Sequence, residues 1–391
     1  MYPNLYYAFK DLFGVEWTFL RFVNSFGFFV AIAFIISAIV LANELRRKSK
    51  QGLFQPTEMQ VMVGQPATLV DLGLNFLLGF LLGYKIVALF VMESSATEDP
   101  QAFIFSTLGS WPAGIGLGLL FASLKWWDKN KQKLAKPEKR TVRIWPQDRV
   151  GEITILALIF GLLGAKLFDI FENWADFLKR PYDYIFSASG LTFYGGLICA
   201  ALAIWWYAKK HKIGFWHLND AMAPTMMLAY SLGRIGCQVS GDGDWGIPNT
   251  SPKPFSWLPD WMWSYTYPHN VNGEGLTKIP GCEGKYCNEL EVGVFPTPFY
   301  EIVVCFILFL VIWSLRKRFK IPGTLFGFYL ILNGLERFFI EKIRVNTRLN
   351  IFGFQPTQAE VISTLLFLAG LITWIVLWRR SKNVKIGPMA T

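Results

Sequence analysis

Ile153-Thr154-Ile155-Leu156-Ala157-Leu158-Ile159-Phe160-Gly161-Leu162-Leu163-Gly164-Ala165-Lys166 is an apolar run that ends on a lysine. A membrane-crossing helix needs about 20 mostly apolar residues, and this run lies within one such window, 151–172. Eight further windows lie at about 18–42, 69–92, 103–127, 191–209, 218–240, 298–315, 322–341 and 358–378. The chain is 53% hydrophobic and 17% charged, with a mean hydropathy of +0.33. That balance belongs to a polytopic membrane protein, not to a soluble domain of the same length. The expected fold is all-α, a single integral membrane domain over residues 1–391 with about nine transmembrane helices.

The distribution of charge orients these spans. With the N-terminus outside, the inner segments carry Arg46-Arg47-Lys48, the run from Lys125 to Arg149, Lys209-Lys210-His211-Lys212, Arg316-Lys317-Arg318 and Arg379-Arg380. The outer segments carry far fewer cations, and Glu93 to Gln101 has none. The positive-inside rule then gives N-out and C-in. The net charge of +10 therefore reads as orientation, and no nucleic-acid partner is expected. Met1 to Glu16 lacks a basic n-region and a small-residue cleavage site, so the first span is expected to be retained.

Lys166 is one of five cations that interrupt the apolar windows, with Arg21, Lys85, Arg234 and Arg337. The loop-charge topology points all five toward the same membrane face. A buried cation costs about 2.5–3.5 kcal/mol on insertion scales and persists where a partner or an aqueous cavity offsets that cost. Several on one side imply an anionic ligand there, and the abundant anion of a membrane is a phospholipid headgroup. Long basic side chains also snorkel to the interface with no ligand, which is the reading favoured for Lys85. Arg234 and Arg337 are read as functional because each sits in a motif, Leu232-Gly233-Arg234-Ile235-Gly236-Cys237 and Asn333-Gly334-Leu335-Glu336-Arg337.

A shift of 81 residues aligns two stretches of the chain without a gap. Leu81-Leu82-Gly83-Tyr84-Lys85 falls on Leu162-Leu163-Gly164-Ala165-Lys166, Ile104-Phe105-Ser106 on Ile185-Phe186-Ser187, Gly109 on Gly190 and Gly114 on Gly195. Each unit is a span, an outer loop and a second span, so 67–127 and 148–209 are expected to be parallel repeats. Phe193-Tyr194-Gly195-Gly196 of the second copy corresponds to Pro112-Ala113-Gly114-Ile115 of the first. The first copy has no polar side chain opposite Tyr194 and is expected to be scaffold.

Residues 241–297 form the long outer loop, rich in proline and glycine and carrying Trp245, Trp257, Trp261, Trp263, Tyr265 and Tyr267. Tryptophan and tyrosine favour the membrane–water boundary, so a cap lying on the outer surface is expected, a soluble mini-domain being the alternative. Cys282 and Cys287 lie in this loop. An outer compartment permits a disulfide, and their spacing alone leaves free and bonded cysteines both open.

Several of these segments, in order, resemble the prolipoprotein diacylglyceryl transferase family. Leu191-Thr192-Phe193-Tyr194-Gly195-Gly196-Leu197 is similar to one of its motifs, and Gly233-Arg234-Ile235-Gly236 leading to Gly241, Asp242, Trp245 and Gly246 to another. Pro296-Thr297-Pro298-Phe299-Tyr300-Glu301 resembles the family's Pro-Ser/Thr-x-Leu-Tyr-Glu. Arg337, Glu341 and Arg344 match an arginine–glutamate–arginine pattern, and Gly164-Ala165-Lys166 is similar to Gly-Gly/Ala-Arg. The likeness covers about 150–380, with the first span matching more loosely. It implies seven spans, to which the duplicated pair adds two. It also implies transfer of a diacylglyceryl group from phosphatidylglycerol to the lipobox cysteine of a preprolipoprotein signal peptide, in the inner (cytoplasmic) membrane of a bacterium, with release of glycerol 1-phosphate. On this reading Tyr194, Arg234 and Arg337 carry the chemistry. Gly195, Gly196, Lys166, Asp242, Asp244, Gly246, Glu301, Glu341 and Arg344 hold the substrate or orient those groups. A guanidinium suits a phosphate better than an ammonium, and Glu301 and Glu341 are expected to orient arginines by paired hydrogen bonds.

The chain departs from the family where it has Tyr194 in place of a histidine before Gly-Gly, and Cys237-Gln238 in place of Asn-Phe. Either Asp242 or Asp244 can stand for the acidic residue after the signature, since the segment is one residue longer. Tyrosine, with a reference pKa of about 10, is a poor general base unless perturbed. His211 and His217 fall on the inner side, and nothing in the spacing of His269 makes it catalytic. No metal-ligand pattern is visible, and no metal or cofactor is expected. The competing readings are a catalytically inactive lipid-binding homologue and, with less support, a secondary transporter, whose site would lie nearer the midplane.

Overall fold

The computed structural model describes residues 1–91, 103, 106–186, 192–275, 277–282, 284–346, 348–350 and 353–383. Among them are nine long helices: α1 Ser25–Lys50, α2 Leu69–Val91, α3 Trp111–Lys131, α4 Val150–Glu172, α5 Phe193–Lys210, α6 Phe215–Ser240, α7 Thr297–Leu315, α8 Thr324–Glu341 and α9 Gln358–Asn383. Five stretches, Ser25–Lys50, Leu69–Ala88, Pro146–Glu172, Thr297–Leu315 and Gln358–Ser381, are long and apolar enough to cross a membrane. Their flanks leave Leu74, Ile155, Ile307 and Ile372 exposed, which suits a chain whose surroundings are lipid. The repeat positions Ile104, Phe105, Ser187 and Gly190, the motif residue Leu191 and the segment Glu93 to Gln101 lie outside the described residues.

Local chemistry sets the helix ends. Asn24 caps α1 by accepting from Phe26 N at 2.8 Å and Gly27 N at 3.4 Å, a strong start signal. The first span therefore begins later than its apolar content suggests. Arg21 lies before it in the 3₁₀ turn Thr18–Phe22, its guanidinium 4.4 Å from the Tyr6 ring centroid. It does not interrupt the helix, a correction to the sequence reading. The last turn of α1 carries Arg47, Lys48 and Lys50, favourable at the negative end of the helix dipole. Asp220 of α6 accepts from Gly323 N at 2.8 Å and Phe326 N at 3.0 Å. It thereby satisfies amides that the start of α8 leaves free.

The helices pack as α2 on α3, α4 on α5, α6 against α1, α7 and α8, and α8 on α9. One core holds Leu41, Leu45, Ile153, Tyr207 and Leu218. A second, between α6, α7 and α8, holds Met227, Cys305, Phe309, Ile312 and Leu325. Glycine permits the closest approaches: a Cβ on Gly83 would lie 2.4 Å from Ala113 O, and one on Gly164 would lie 2.6 Å from Gly195 O.

The fold is mostly helical and not all-α as expected. Strand β1, Thr57–Val63, pairs antiparallel with β2, Glu138–Ile144, with Thr57 opposite Ile144 and Val63 opposite Glu138. A smaller ladder joins β3, Thr277–Lys278, to β4, Asn288–Glu289. The β1–β2 ribbon is largely exposed and carries the cross-strand pair Arg143–Glu58 at 3.3 Å. It lacks the buried face by which an alternating apolar pattern reveals a strand.

The 241–297 segment is folded. Trp245, Tyr267 and Val294 form its apolar centre, and Cys282 and Cys287 are disulfide-bonded. Trp245 and Tyr267, expected at a membrane boundary, are thus packed inside, whereas Trp257 is 74% exposed. The Met1 amino group donates to Pro268 O at 2.7 Å, tying the chain's start to this segment.

Candidate active site: an arginine–carboxylate cluster

Glu301 is completely buried in the first turns of α7 and receives hydrogen bonds from three segments. Its Oε1 accepts from Tyr230 Oη at 2.7 Å and from Arg337 Nη1 at 3.1 Å. Its Oε2 lies 3.0 Å from Arg234 Nε and 3.5 Å from Arg344 Nη1. Arg234 belongs to the end of α6, Arg337 to the last two turns of α8, and Arg344 follows α8. An ionised carboxylate with two oxygens can serve several donors in this way. Its burial is tolerable only because they are present.

Two more carboxylates complete the cluster. Glu341 lies one turn beyond Arg337, with Oε2 3.0 Å from Arg337 Nη2, and its Oε1 accepts from Asn346 Nδ2 at 2.6 Å. Asp244 Oδ1 is 2.6 Å from Arg344 Nη2, and Asp244 Oδ2 accepts from Arg234 Nη1. Asp244 is placed by its backbone, since its carbonyl accepts from Thr297 Oγ1 at 2.7 Å. Gly246 then docks the loop on the end of α8. Ile247 N donates to Ile343 O at 2.9 Å, and a Cβ on Gly246 would lie 2.4 Å from that oxygen. A side chain there would push the loop off Arg344.

Of the two candidate acids, Asp244 is the one in the network. Burial pushes its carboxyl up, but Arg234 and Arg344 outweigh that and hold it down at about 2. Asp242 is raised, first by burial and then by the neighbouring Asp244 charge. It touches the network through its Oδ1, which accepts from Asp244 N at 3.3 Å. Cys237 Sγ lies 3.6 Å from Arg234 Nη1 and 3.8 Å from Asp244 Oδ2. Cys237, Asp242 and Asp244 offer three donor atoms within 4.8 Å of one another, but the guanidinium groups already occupy two of these residues.

The other expected residues have the following neighbours. Lys166 Nζ is 3.9 Å from Asp169 Oδ2 and 4.9 Å from the Tyr184 ring centroid. Lys85, at the equivalent repeat position, donates to the carbonyls of Phe103, Ser106 and Leu108 at 2.8, 2.7 and 2.9 Å. Gly195 and Gly196 are buried against α4, where a Cβ on Gly195 would lie 2.4 Å from Phe168 Cβ and one on Gly196 2.7 Å from Gly161 O. They set the α4–α5 spacing, and Gly196 N donates to Thr192 O at 3.3 Å. Tyr194 is half-buried in the first turn of α5, beside Phe193. Among the described residues no hydrogen bond joins it to the cluster.

Sequence reasoning missed two members. Tyr230 stands four residues before Arg234, and that spacing on a helix puts both on one face; the Arg234 guanidinium lies 5.2 Å from its ring centroid. Glu336 adjoins Arg337 and is 8% exposed, and among the described residues neither of its carboxyl oxygens is hydrogen-bonded.

Arginines and carboxylates gathered between long apolar helices define a polytopic membrane protein with an ionic site in its interior. The chain belongs to the prolipoprotein diacylglyceryl transferase family, whose model matches residues 114–376. That segment holds every residue of the cluster, whereas α2 precedes it. The chain is similar to the phosphatidylglycerol–prolipoprotein diacylglyceryl transferase of Leptospira interrogans, 29% identical over 219 residues, which are 50% of this chain and 61% of that protein. The chain thus spans less than two thirds of the length of this relative. The Clostridioides difficile enzyme of the same name is 28% identical over 239 residues, 61% of this chain and 82% of that protein. That of Dehalococcoides mccartyi is 28% identical over 289 residues, 73% of this chain and 96% of that protein. The protein is therefore a multi-pass membrane member of a transferase family of lipoprotein biosynthesis.

Proposed function

We propose that this chain transfers the diacylglyceryl group of phosphatidylglycerol to the lipobox cysteine thiol of preprolipoproteins in the inner (cytoplasmic) membrane of a bacterium. The observation that carries the reading is the convergence of Arg234, Arg337 and Arg344 on Glu301, within the segment matched by the family. Guanidinium groups pre-aimed by buried carboxylates can meet a phosphate without reorganising, and in a low-dielectric site such preorganisation is usually the largest catalytic term.

In the proposed reaction the cysteine sulfur forms a bond to the glycerol carbon, and the bond from that carbon to the phosphate oxygen breaks. The electron pair leaves with glycerol 1-phosphate, where Arg234 and Arg337 stabilise the charge. A carboxylate or water takes the thiol proton. Tyr194 hydrogen-bonds the donor lipid, and Glu301 and Glu341 hold the arginines. The topology that fits has nine spans, N-out and C-in, with 241–297 as an outer cap. α2–α3 is proposed as a duplicate of α4–α5. Lys85 over the Phe103 ring at 4.8 Å and Lys166 over the Tyr184 ring at 4.9 Å support it, because both residues of each pair are related by the same 81-residue shift.

Complementation of a bacterium depleted of this transferase, with lipoprotein modification read by mass spectrometry, tests the reading. A thioether-linked diacylglyceryl product is expected. Absence of product from the properly inserted chain would instead support an inactive lipid-binding homologue, a reading favoured by the lack, among the described residues, of a hydrogen bond from Tyr194 to the cluster.

A further inference from the structure

We propose that Glu336 is the proton-binding residue of the arginine cluster, and that the site takes up its anionic ligand together with a proton on this carboxyl. The proposal rests on the phosphatidylglycerol reading for the identity of the ligand. Its basis is a charge count. Asp244, Glu301 and Glu341 oppose Arg234, Arg337 and Arg344, three against three, each carboxylate paired with at least one guanidinium. Two carboxyls lie outside those pairings: Asp242, which accepts from Asp244 N, and Glu336, nine-tenths buried, with neither oxygen hydrogen-bonded among the described residues. Protonated, Glu336 leaves the three pairings balanced; ionised, it adds a negative charge beside them before any phosphate enters.

The groups that face it make the coupling specific. From α6 come Tyr230 and Arg234, and from α7 Glu301 and the Cys305 thiol. Tyr329 and Arg337 lie on its own helix, and Arg344 lies just beyond. α9 approaches the same turn through Gly334, where a Cβ would lie 2.7 Å from Ser363 O. The Glu360 carboxylate of α9 is itself paired with Lys342 at 2.5 Å. The arginines around Glu336 are thus the groups proposed to hold the phosphate, and their charge is shared with Glu301. A lipid phosphate that draws on the same arginines raises the cost of an ionised Glu336, and by linkage a protonated Glu336 favours the phosphate. For charges about 7–10 Å apart at an effective dielectric of about 20, the repulsion weakens binding about 15- to 50-fold.

The test is calorimetry of dioctanoyl phosphatidylglycerol binding to the full chain in neutral detergent, in pairs of buffers with different protonation enthalpies, from acid to alkaline pH. The wild-type chain should take up about 0.6–0.75 proton per lipid at the pH of greatest uptake, and its affinity should fall about 15- to 50-fold toward alkaline pH. Glu336→Gln should bind without uptake and with a flat pH profile, while Glu336→Asp should retain both effects. Asp242→Asn controls for the other carboxyl outside the pairings, and proton uptake should survive it. Wild-type binding without uptake, uptake that persists in Glu336→Gln, or uptake abolished by Asp242→Asn would each overturn the proposal. If Glu336→Gln fails to fold, Glu336→Asp decides the matter: it should shift the pH of greatest uptake, and an unshifted profile would overturn the proposal. Lipid binding with uptake but no transfer would leave this proposal standing and retire the enzymatic reading. No lipid binding at any pH would overturn both.

Discussion

Arg234→Lys keeps the charge of the site and removes its fork, so it isolates geometry from electrostatics. In the structure Arg234 spans two carboxylates, with Nε 3.0 Å from Glu301 Oε2 and Nη1 on Asp244. An ammonium on a flexible stem reaches one of them and leaves the other a donor short. A hydrogen bond to a charged group contributes about 1.5–3 kcal/mol. If it is lost in the transition state, kcat/KM falls about 13- to 160-fold. The assay is formation of the thioether product on a lipobox peptide, with phosphatidylglycerol supplied in nanodiscs and product quantified by mass spectrometry. Arg234→Ala should lose more, because breaking a buried pair costs about 3–5 kcal/mol, and its melting temperature should drop as well. Arg234→Lys within about threefold of wild type, or near-normal turnover in Arg234→Ala, would refute the claim that this guanidinium organises the site.

Three further outcomes are expected. Tyr194→Phe removes a single hydroxyl and should cost about 0.5–1.5 kcal/mol, about 2- to 13-fold in rate; a loss of about a hundredfold or more in the same assay would place the phenol in the proton transfer itself. Lys85→Ala should lower transfer much less than Lys166→Ala, and residues 71–127 should superimpose on 152–208 in an experimental structure; equal losses or divergent units would make the 81-residue alignment an accident of apolar sequence. Asp244 is held at about 2, below the ordinary 3.8, so its ion pairs contribute fully above that ordinary value and are lost as pH falls through about 2. Asp244→Asn should therefore flatten the decline in melting temperature over that acid window in detergent, and an unchanged decline would refute the pairing.

The long helices were legible because apolar length is a local property. The windows at 151–172, 218–240 and 298–315 foreshadow α4, α6 and α7 to within a few residues. Where a polar residue sets the boundary the reading slipped. Asn24 starts α1 after Arg21, although apolar residues continue on both sides. The β1–β2 ribbon was missed for a different reason: exposed on both faces, it has no burial pattern to write into its sequence.

The cluster was legible as far as its residues fell into motifs, and Arg234, Glu301, Arg337, Glu341 and Arg344 all did. Motifs report which side chains are present, but not what each one touches. Gly195 and Gly196 show the difference, since a glycine pair serves equally to let a headgroup near a backbone or to let two helices meet. The position of α4, with Gly161 O and Phe168 where Cβ atoms would go, shows that the second applies here. Glu336 is the harder case. On a helix an acidic residue beside an arginine suggests a solvated pair, yet neighbours at i and i+1 point to different faces. Arg337 is paired with Glu301 and Glu341, whereas Glu336 lies among the same charges and beside the Cys305 thiol without such a pairing. Whether a carboxyl is paired or stranded is decided by which helix lies opposite, and that is information no single helix contains.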